Sequence, residues 1–327
     1  MVNFIQLYQQ RSAQSQWLPM ATLCVALLAV SFAPIFIRLS ETELGANGTV
    51  FNRLLIFAVV FGIGKLIAQW RQSAKEPTNE EPITTQQWIL LVSVGLISIT
   101  SLGLWALSLQ YTSVAKCMLL SNLTPIFTSL GAWCCFGKRF DSRFLAGMAV
   151  ALSGALFLGL SDLSSGDGLL LGDIYALLSA VFLGIYFLLV EQLRQRFSAT
   201  TILLWRCIIG SAFLLPIVLA TEGQVFPTTR IAILAVFGLG LISEGLGQRL
   251  LADAMDQFSA SFVSLFLLLE PIISAILAWF IFVEHFGRTT WIGFAIVLTG
   301  LYFAQTSQSA AQHGETASEL VPVTARR

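Results

Sequence analysis

The feature that most constrains this chain is a series of long apolar runs separated by short polar connections. A helix that spans a bilayer needs roughly 20 mostly apolar residues. Since 56% of the residues are hydrophobic and only 11% are charged, a soluble fold would lack the polar surface that it needs. The sequence therefore predicts an all-α integral membrane protein with ten transmembrane helices, at about residues 18–37, 54–70, 88–111, 114–136, 144–161, 169–190, 199–220, 230–251, 257–283 and 290–305.

The basic residues predict how the chain is oriented. If residues 1–16 form a cytoplasmic N-terminal segment, the inner side carries twelve Lys and Arg residues and the outer side five. Cytoplasmic loops of membrane proteins are enriched in Lys and Arg. We therefore expect a multi-pass protein of the plasma (inner) membrane with both termini in the cytoplasm, and residues 307–327 as a disordered cytoplasmic tail.

The scarce polar residues exclude several functions. Basic and acidic residues number 18 each, so no nucleic-acid partner is indicated. His285 and His313 have no second ligand at metal-binding spacing, and the five cysteines lie in apolar stretches without a CxxC pair. No phosphate-binding loop or nucleophile elbow is present. We therefore expect no enzyme activity, no cofactor and no metal site.

The two halves of the sequence resemble each other. A shift of 146 residues aligns Leu119–Phe157 with Leu265–Phe303, and 13 of these 39 positions are identical. The identities include paired proline, tryptophan and glycine residues, which apolar composition alone rarely produces. The sequence therefore predicts two related five-helix domains, residues 17–161 and 168–306.

An odd number of helices in each domain has a consequence for topology. Two such domains in one chain enter the membrane in opposite directions, so they form inverted repeats. Inverted repeats are typical of secondary transporters, which bind their solute near the membrane midplane between the repeats.

Motifs in both halves resemble the EamA-type unit of the drug/metabolite transporter (DMT) superfamily. The matching segments in the first half are Ala106–Leu107, Tyr111–Ser113, Leu123–Phe127, Gly131–Trp133 and Gly147. Those in the second half are Leu269–Ile272, Ala278–Trp279, Glu284 and Gly293. The resemblance implies a ten-helix permease whose central cavity is lined by the first, third and fourth helices of each half. It also implies transport of amino acids, other metabolites or drug-like compounds, and it favours export over import.

The predicted function is secondary transport of small organic metabolites or amino-acid-like solutes across the plasma membrane by alternating access. The chain has no ATPase motif, so we expect a solute gradient or coupled protons to supply the energy, in a monomer or a homodimer. Two alternatives stay open, a passive channel or facilitator and, with less support, a membrane-embedded enzyme. The sequence does not identify the substrate.

Two glutamates within the apolar runs, Glu244 and Glu270, are the first candidates for the site. A charge at the centre of a spanning helix costs about 2.5–3.5 kcal/mol, so such residues usually face a cavity or a partner. They could bind a cation or a substrate amine, or couple transport to protons. Alternatively, these glutamates form structural pairs or helix-packing hydrogen bonds, for example with Arg206 or Gln248.

Three prolines lie inside predicted helices, where a proline removes a backbone hydrogen bond and kinks the helix. We expect kinks or hinges at Pro34, Pro125 and Pro271. The freed carbonyl groups need partners or must line a cavity. The polar neighbours that we expect near such a site are Ser121, Asn122, Thr124 and Trp105.

Arg53 and Arg206 lie one to two turns inside their helices. They are candidates for a gate or an anion contact, unless they extend to the membrane interface. A shift of 153 residues aligns them with each other, whereas the shift of 146 aligns Glu244 with Ser98. Two glycines precede Glu244 and two follow it, at positions 238, 240, 245 and 247. They suggest a flexible or broken helix there, although close helix packing would also explain them.

Overall fold

The structure is a computed structural model that describes residues 18–73, 84–112, 114–160, 170–282, 288–307 and 309. The secondary structure elements in these ranges are helices. They are α1 (Leu18–Ser40), α2 (Ala46–Ser73), α3 (Thr85–Tyr111), α4 (Val114–Ser121), α5 (Thr124–Phe136), α6 (Ser142–Leu160), α7 (Leu170–Arg194), α8 (Ala199–Thr221), α9 (Arg230–Ala254), α10 (Ala260–Phe266), α11 (Glu270–Phe282) and α12 (Arg288–Gln305).

The length and composition of these helices suit a bilayer. Among the described residues, seven helical stretches are long and apolar enough to cross a membrane, and three shorter helices are also apolar. Large apolar side chains cover the outer face, including Trp70, Leu234 and Phe280, which are each at least 70% exposed. Water does not tolerate such a surface, whereas lipid does. The chain is therefore a multi-pass membrane protein whose described part is built from helices.

Helices from the two halves pack in pairs. Helix α2 packs on α8, α5 on α10, and α6 on α12. The α2–α8 and α6–α12 pairs join helices that occupy corresponding positions in the two halves of the sequence, whereas the shift of 146 residues aligns α10 with α4, the segment that precedes α5. In the α6–α12 pair the backbones touch, because a Cβ atom added at Gly147 would lie 2.5 Å from the backbone nitrogen of Ala304. Glycine is therefore required for this close approach.

Each of the three prolines predicted to disturb a helix lies where a helical segment begins. Helix α1 has a turn at Phe32, just before Pro34. Pro125 follows the two-residue break between α4 and α5, and Pro271 follows the 3₁₀ turn Leu267–Leu269 that separates α10 from α11. A proline tolerates the first turn of a helix because its missing N–H would have no partner there.

Helix α2 begins eight residues before the predicted apolar run. Its first two turns mix polar and apolar residues, and the carboxylate of Glu222 accepts hydrogen bonds from the backbone N–H groups of Asn47 and Gly48, both at 2.9 Å. A carboxylate stabilises a helix N-terminus by satisfying N–H groups that have no partner within the helix. Glu222 follows the end of α8, so this cap also ties α8 to α2.

A second glutamate, Glu43, makes the corresponding contact at the start of α9. Its carboxylate accepts hydrogen bonds from the backbone N–H groups of Thr228 at 2.7 Å and Thr229 at 2.9 Å, and from both hydroxyl groups. The Thr228 and Thr229 hydroxyls, followed by the backbone N–H groups, hold the pKa of Glu43 well below its usual range. The loops after α1 and α8 are therefore joined through the carboxyl groups of two glutamates.

Candidate functional site

A buried ionic network joins three helices at the centre of the molecule. Glu244 lies near the middle of α9 and is 0% exposed. Its Oε2 accepts a hydrogen bond from Nε of Arg53 on α2 at 2.7 Å, and its Oε1 accepts one from Nη1 of Arg206 on α8. Both arginine side chains therefore point at Glu244. The carboxylate is fully satisfied, with one guanidinium group on each oxygen.

The helix that carries Glu244 has an unusual geometry. Residues Leu239–Gln248 form a π-helical segment inside α9, which is otherwise α-helical. Such segments are rare and are often found at functional sites. The helix is continuous here, and the glycines serve close packing: a Cβ atom at Gly240 would lie 2.6 Å from Ile56, and one at Gly247 would lie 2.6 Å from Val30. Helix α9 can therefore approach α1 and α2 closely.

A cavity of about 230 Å³ lies beside this network. Helices α2, α3, α7 and α8 contribute most of its walls, and Ser121 at the end of α4 completes them. Arg53 and Arg206 both line the cavity, whereas Glu244 lies behind them. The remaining polar lining consists of hydroxyl groups and one indole, from Ser98, Ser101, Ser121, Ser179 and Trp105.

Polar contacts in the walls hold the arginines and helices in place. Nε of Arg206 donates to the hydroxyl of Ser98 at 2.7 Å, and its guanidinium lies 5.2 Å from the centre of the Tyr186 ring. On the same side, the hydroxyls of Ser101 and Ser179 each donate to the other residue's carbonyl at 2.9 Å, which joins α3 to α7. Arg206 is therefore oriented by its hydrogen bonds and by an aromatic face.

Some of the site residues predicted from sequence meet at this cavity. Arg53, Arg206, Ser121 and Trp105 line it, and Glu244 holds both arginines. The contacts realise the paired alternative for Glu244 with Arg206, and they add Arg53 as a second partner.

Other predicted residues lie elsewhere. Glu270 begins α11 with a partly exposed side chain; it interacts electrostatically with Arg53 but does not line the cavity. Thr124 is buried and donates to the Ser121 carbonyl at 2.7 Å, while Asn122 lies in the turn between α4 and α5. Neither residue is among those that line the cavity.

The sequence reasoning missed Ser101 and Ser179. No signal distinguishes them, because serine is common in membrane helices and usually bonds to the carbonyl one turn earlier. A signal did exist for Ser98, since the repeat aligns it with Glu244.

A bundle of apolar helices around a small cavity that two arginines line is the arrangement expected of a membrane transport protein. The model of the EamA-like transporter family matches residues 17–160 and 170–306. The chain therefore belongs to the EamA-like transporter family, within the drug/metabolite transporter superfamily, as the motifs in both halves predicted.

Individual relatives agree with this assignment. Two proteins of Archaeoglobus fulgidus, each named "Uncharacterized transporter", are similar to the chain. One is 22% identical over 292 residues, which cover 88% of this chain and 96% of that protein; the other is 25% identical over 214 residues, which cover 65% and 75%. A solved crystal structure has the same fold, with a TM-score of 0.72 at 16% identity over 88% of this chain and 96% of that one.

Proposed function

We propose that the protein is a secondary transporter, without enzyme activity, that moves small organic metabolites or amino-acid-like solutes by alternating access. In this proposal, residues 17–161 and 168–306 form two inverted five-helix repeats, which together give ten spans. The protein lies in the plasma membrane, and both of its termini are in the cytoplasm. The repeats rock against each other and expose the cavity to one side at a time. Net movement is outward.

The observation that carries the proposal is the link between the two halves through Arg53, Arg206 and Glu244. Arg53 is the eighth residue of α2 and Arg206 is the eighth residue of α8, so each lies about 10 Å from its helix start. In an inverted arrangement these starts are on opposite sides of the membrane. The two arginines then approach from opposite sides, and both reach Glu244 near the midplane, where such transporters bind their solute.

The positions of the three prolines also support alternating access. Pro125 and Pro271 follow breaks in equivalent helices, and Pro34 follows a turn in α1. Changes in helix direction at these breaks would let one part of a helix move while the other stays packed. We therefore assign hinge roles to these positions within the proposal.

Counterflow in proteoliposomes tests this function. Purified protein is reconstituted with a mixture of unlabelled amino acids, organic acids and amines inside, and uptake of each labelled compound is measured from outside. A secondary transporter shows saturable uptake that the trapped compound accelerates, and empty liposomes provide the background. Uptake that rises linearly with concentration and shows no acceleration would instead identify a passive channel or facilitator, and uptake of no compound above background would reject the function.

Glu270 is the residue that we propose for proton coupling. The residue is partly exposed, and its carboxyl is close enough to Arg53 for the two charges to interact, so a proton on Glu270 changes the charge balance beside the network. We expect Glu270→Gln to abolish the stimulation of transport by a proton gradient while exchange without a gradient persists. The matched control is Glu41→Gln, which alters an exposed glutamate in the loop after α1. Unchanged stimulation in Glu270→Gln would remove the coupling role.

A further inference from the structure

We propose that the cavity binds the carboxylate of a small organic anion, and that Arg206 and Arg53 are the residues that recognise it. This inference rests on the proposed transport function, because it names the substrate class of the same cavity. Four observations carry it: which charges face the cavity, how the two halves differ, which hydrogen-bond donors are available, and how large the space is.

The charges that face the cavity are positive. Arg53 and Arg206 line it, with side chains 17% and 16% exposed, whereas the Glu244 side chain is 0% exposed. Glu270, the other acidic group that interacts with Arg53, does not line the cavity either. A solute in the cavity therefore meets guanidinium groups first. An amine would be repelled there, although the two glutamates taken alone would favour a cation.

The two halves of the sequence differ at one aligned position of this network, where one half has a carboxylate and the other a hydroxyl. The aligned positions are Arg53 with Arg206 and Glu244 with Ser98. In the structure, Arg53 bonds to Glu244 at 2.7 Å, and Arg206 bonds to Ser98 through the same Nε atom at the same distance. Ser98 therefore occupies the position of a missing counter-charge. The result is two arginines that share one hydrogen-bonded carboxylate, so the side of the network that faces the cavity carries a positive charge in excess, while Glu270 interacts with Arg53 from outside the cavity lining.

Unused hydrogen-bond donors surround this excess charge. Within the described part of the chain, Arg53 donates only through Nε, and Arg206 donates only through Nε and Nη1. The buried Ser121 hydroxyl also lines the cavity and has no hydrogen-bond partner there apart from the weakly polar Cys117 thiol. A guanidinium group presents parallel N–H groups that match the two oxygens of a carboxylate.

The size and the apolar walls of the cavity define the rest of the ligand. A volume of about 230 Å³ is below the range of about 300–1,000 Å³ that is typical of pockets for drug-sized ligands. Ile99, Leu102, Leu183 and Trp105 contribute apolar walls to the cavity. The geometry therefore fits a monocarboxylate with a short hydrocarbon tail.

Binding to the purified wild-type protein tests the ligand class without any variant. Isothermal titration calorimetry compares acetate, isocaproate and benzoate with leucine and isoamylamine, which carry the isocaproate branch with a zwitterionic and a cationic head group. We expect at least one of the acids to bind and isoamylamine not to bind. Binding of isoamylamine in preference to the acids, or binding of none of the acids, would overturn the inference.

Substitution of Ser98 tests the missing counter-charge. In Ser98→Glu the new carboxylate can pair with Arg206 as Glu244 pairs with Arg53, which neutralises the excess charge. Ser98→Gln has nearly the same volume without the charge and is the matched control. We expect Ser98→Glu to bind the acid at least about tenfold more weakly than Ser98→Gln does. Equal affinity in two variants that unfold at the same temperature would contradict the role of the excess charge.

Counterflow separates this inference from the transport function. Exchange of isoamylamine but not of acids would keep the transporter and reject the anion site. Binding of acids without any accelerated exchange would keep the anion site and reject the transporter.

Discussion

Glu244→Gln is expected to destabilise the folded protein strongly, more than any other single change to a charged residue in the cavity region. The substitution removes the negative charge that Arg53 and Arg206 share, so two largely buried guanidinium groups lose the carboxylate to which both are hydrogen-bonded. Breaking a buried ion pair by removing one partner costs about 3–5 kcal/mol. The measurement is the thermal unfolding midpoint of the purified protein in detergent, which we expect to fall by several degrees.

Glu270→Gln is the matched control for this measurement. It makes the same chemical change in another acidic residue of the apolar helices. The Glu270 carboxyl forms no hydrogen bond or ion pair with a described residue. We therefore expect the unfolding midpoint of the Glu270→Gln variant to stay close to that of the wild type. If both substitutions lowered the midpoint equally, the special role of the Glu244 network would be wrong.

A double substitution separates charge balance from lost contacts. In Arg53→Gln with Glu244→Gln, only Arg206 of the original network keeps its charge. If the uncompensated positive charge causes the destabilisation of Glu244→Gln, the double variant is more stable than Glu244→Gln alone. The effects of the two single substitutions on stability are then not additive. Additive losses would instead mean that the two side chains stabilise the fold through independent contacts.

The parts of the fold that could be predicted are those set by hydropathy. Long apolar runs gave the helices, because a bilayer requires about 20 apolar residues for each span. The start of α2 was predicted too late. Its first turns mix polar and apolar residues and are helical because Glu222 caps them, and Glu222 lies 174 residues away from Gly48 along the chain. A hydropathy pattern is local and contains no information on such a contact.

The residues of the candidate site likewise fall into those that the local sequence predicts and those that it does not. Glu244 was found from sequence because a charge inside an apolar run must have a partner. The same rule did not identify Glu191 as a buried residue. Glu191 lies near the end of α7, where an acid is expected to face water. In the structure it is 1% exposed, bonds to Lys138 at 2.8 Å and accepts the Ala260 N–H group at 3.1 Å. Only the packing of separate helices reveals that burial.

The serines of the cavity could not be selected in advance. Ser93 and Thr100 lie on the same helix as Ser98, and both donate to the carbonyl four residues earlier, at 2.7 and 2.8 Å. A hydroxyl in a membrane helix can satisfy itself in this way, so its presence in the sequence indicates nothing about a site. The alignment of Ser98 with Glu244 was the exception, and it became useful only when the structure brought both residues to the arginines.

Gly300→Ala is the second substitution for which we expect a large effect, because it separates α6 from α12. A Cβ atom at Gly300 would lie 2.2 Å from the backbone nitrogen of Ala151 and 2.6 Å from the carbonyl oxygen of Gly147. Backbone atoms cannot rotate away as a side chain can, so the helices must move apart. Overpacking of this kind costs about 1–3 kcal/mol, and the lost contacts along the pair add to it.

The matched control for this substitution is Gly64→Ala in α2. A Cβ atom there would have nothing within 4 Å, and alanine favours a helix over glycine by about 1 kcal/mol. We therefore expect Gly64→Ala to leave the unfolding midpoint unchanged or raise it, whereas Gly300→Ala lowers it and reduces the yield of folded protein from the membrane. Equal midpoints for the two variants would show that α6 and α12 do not touch as closely as the glycines require.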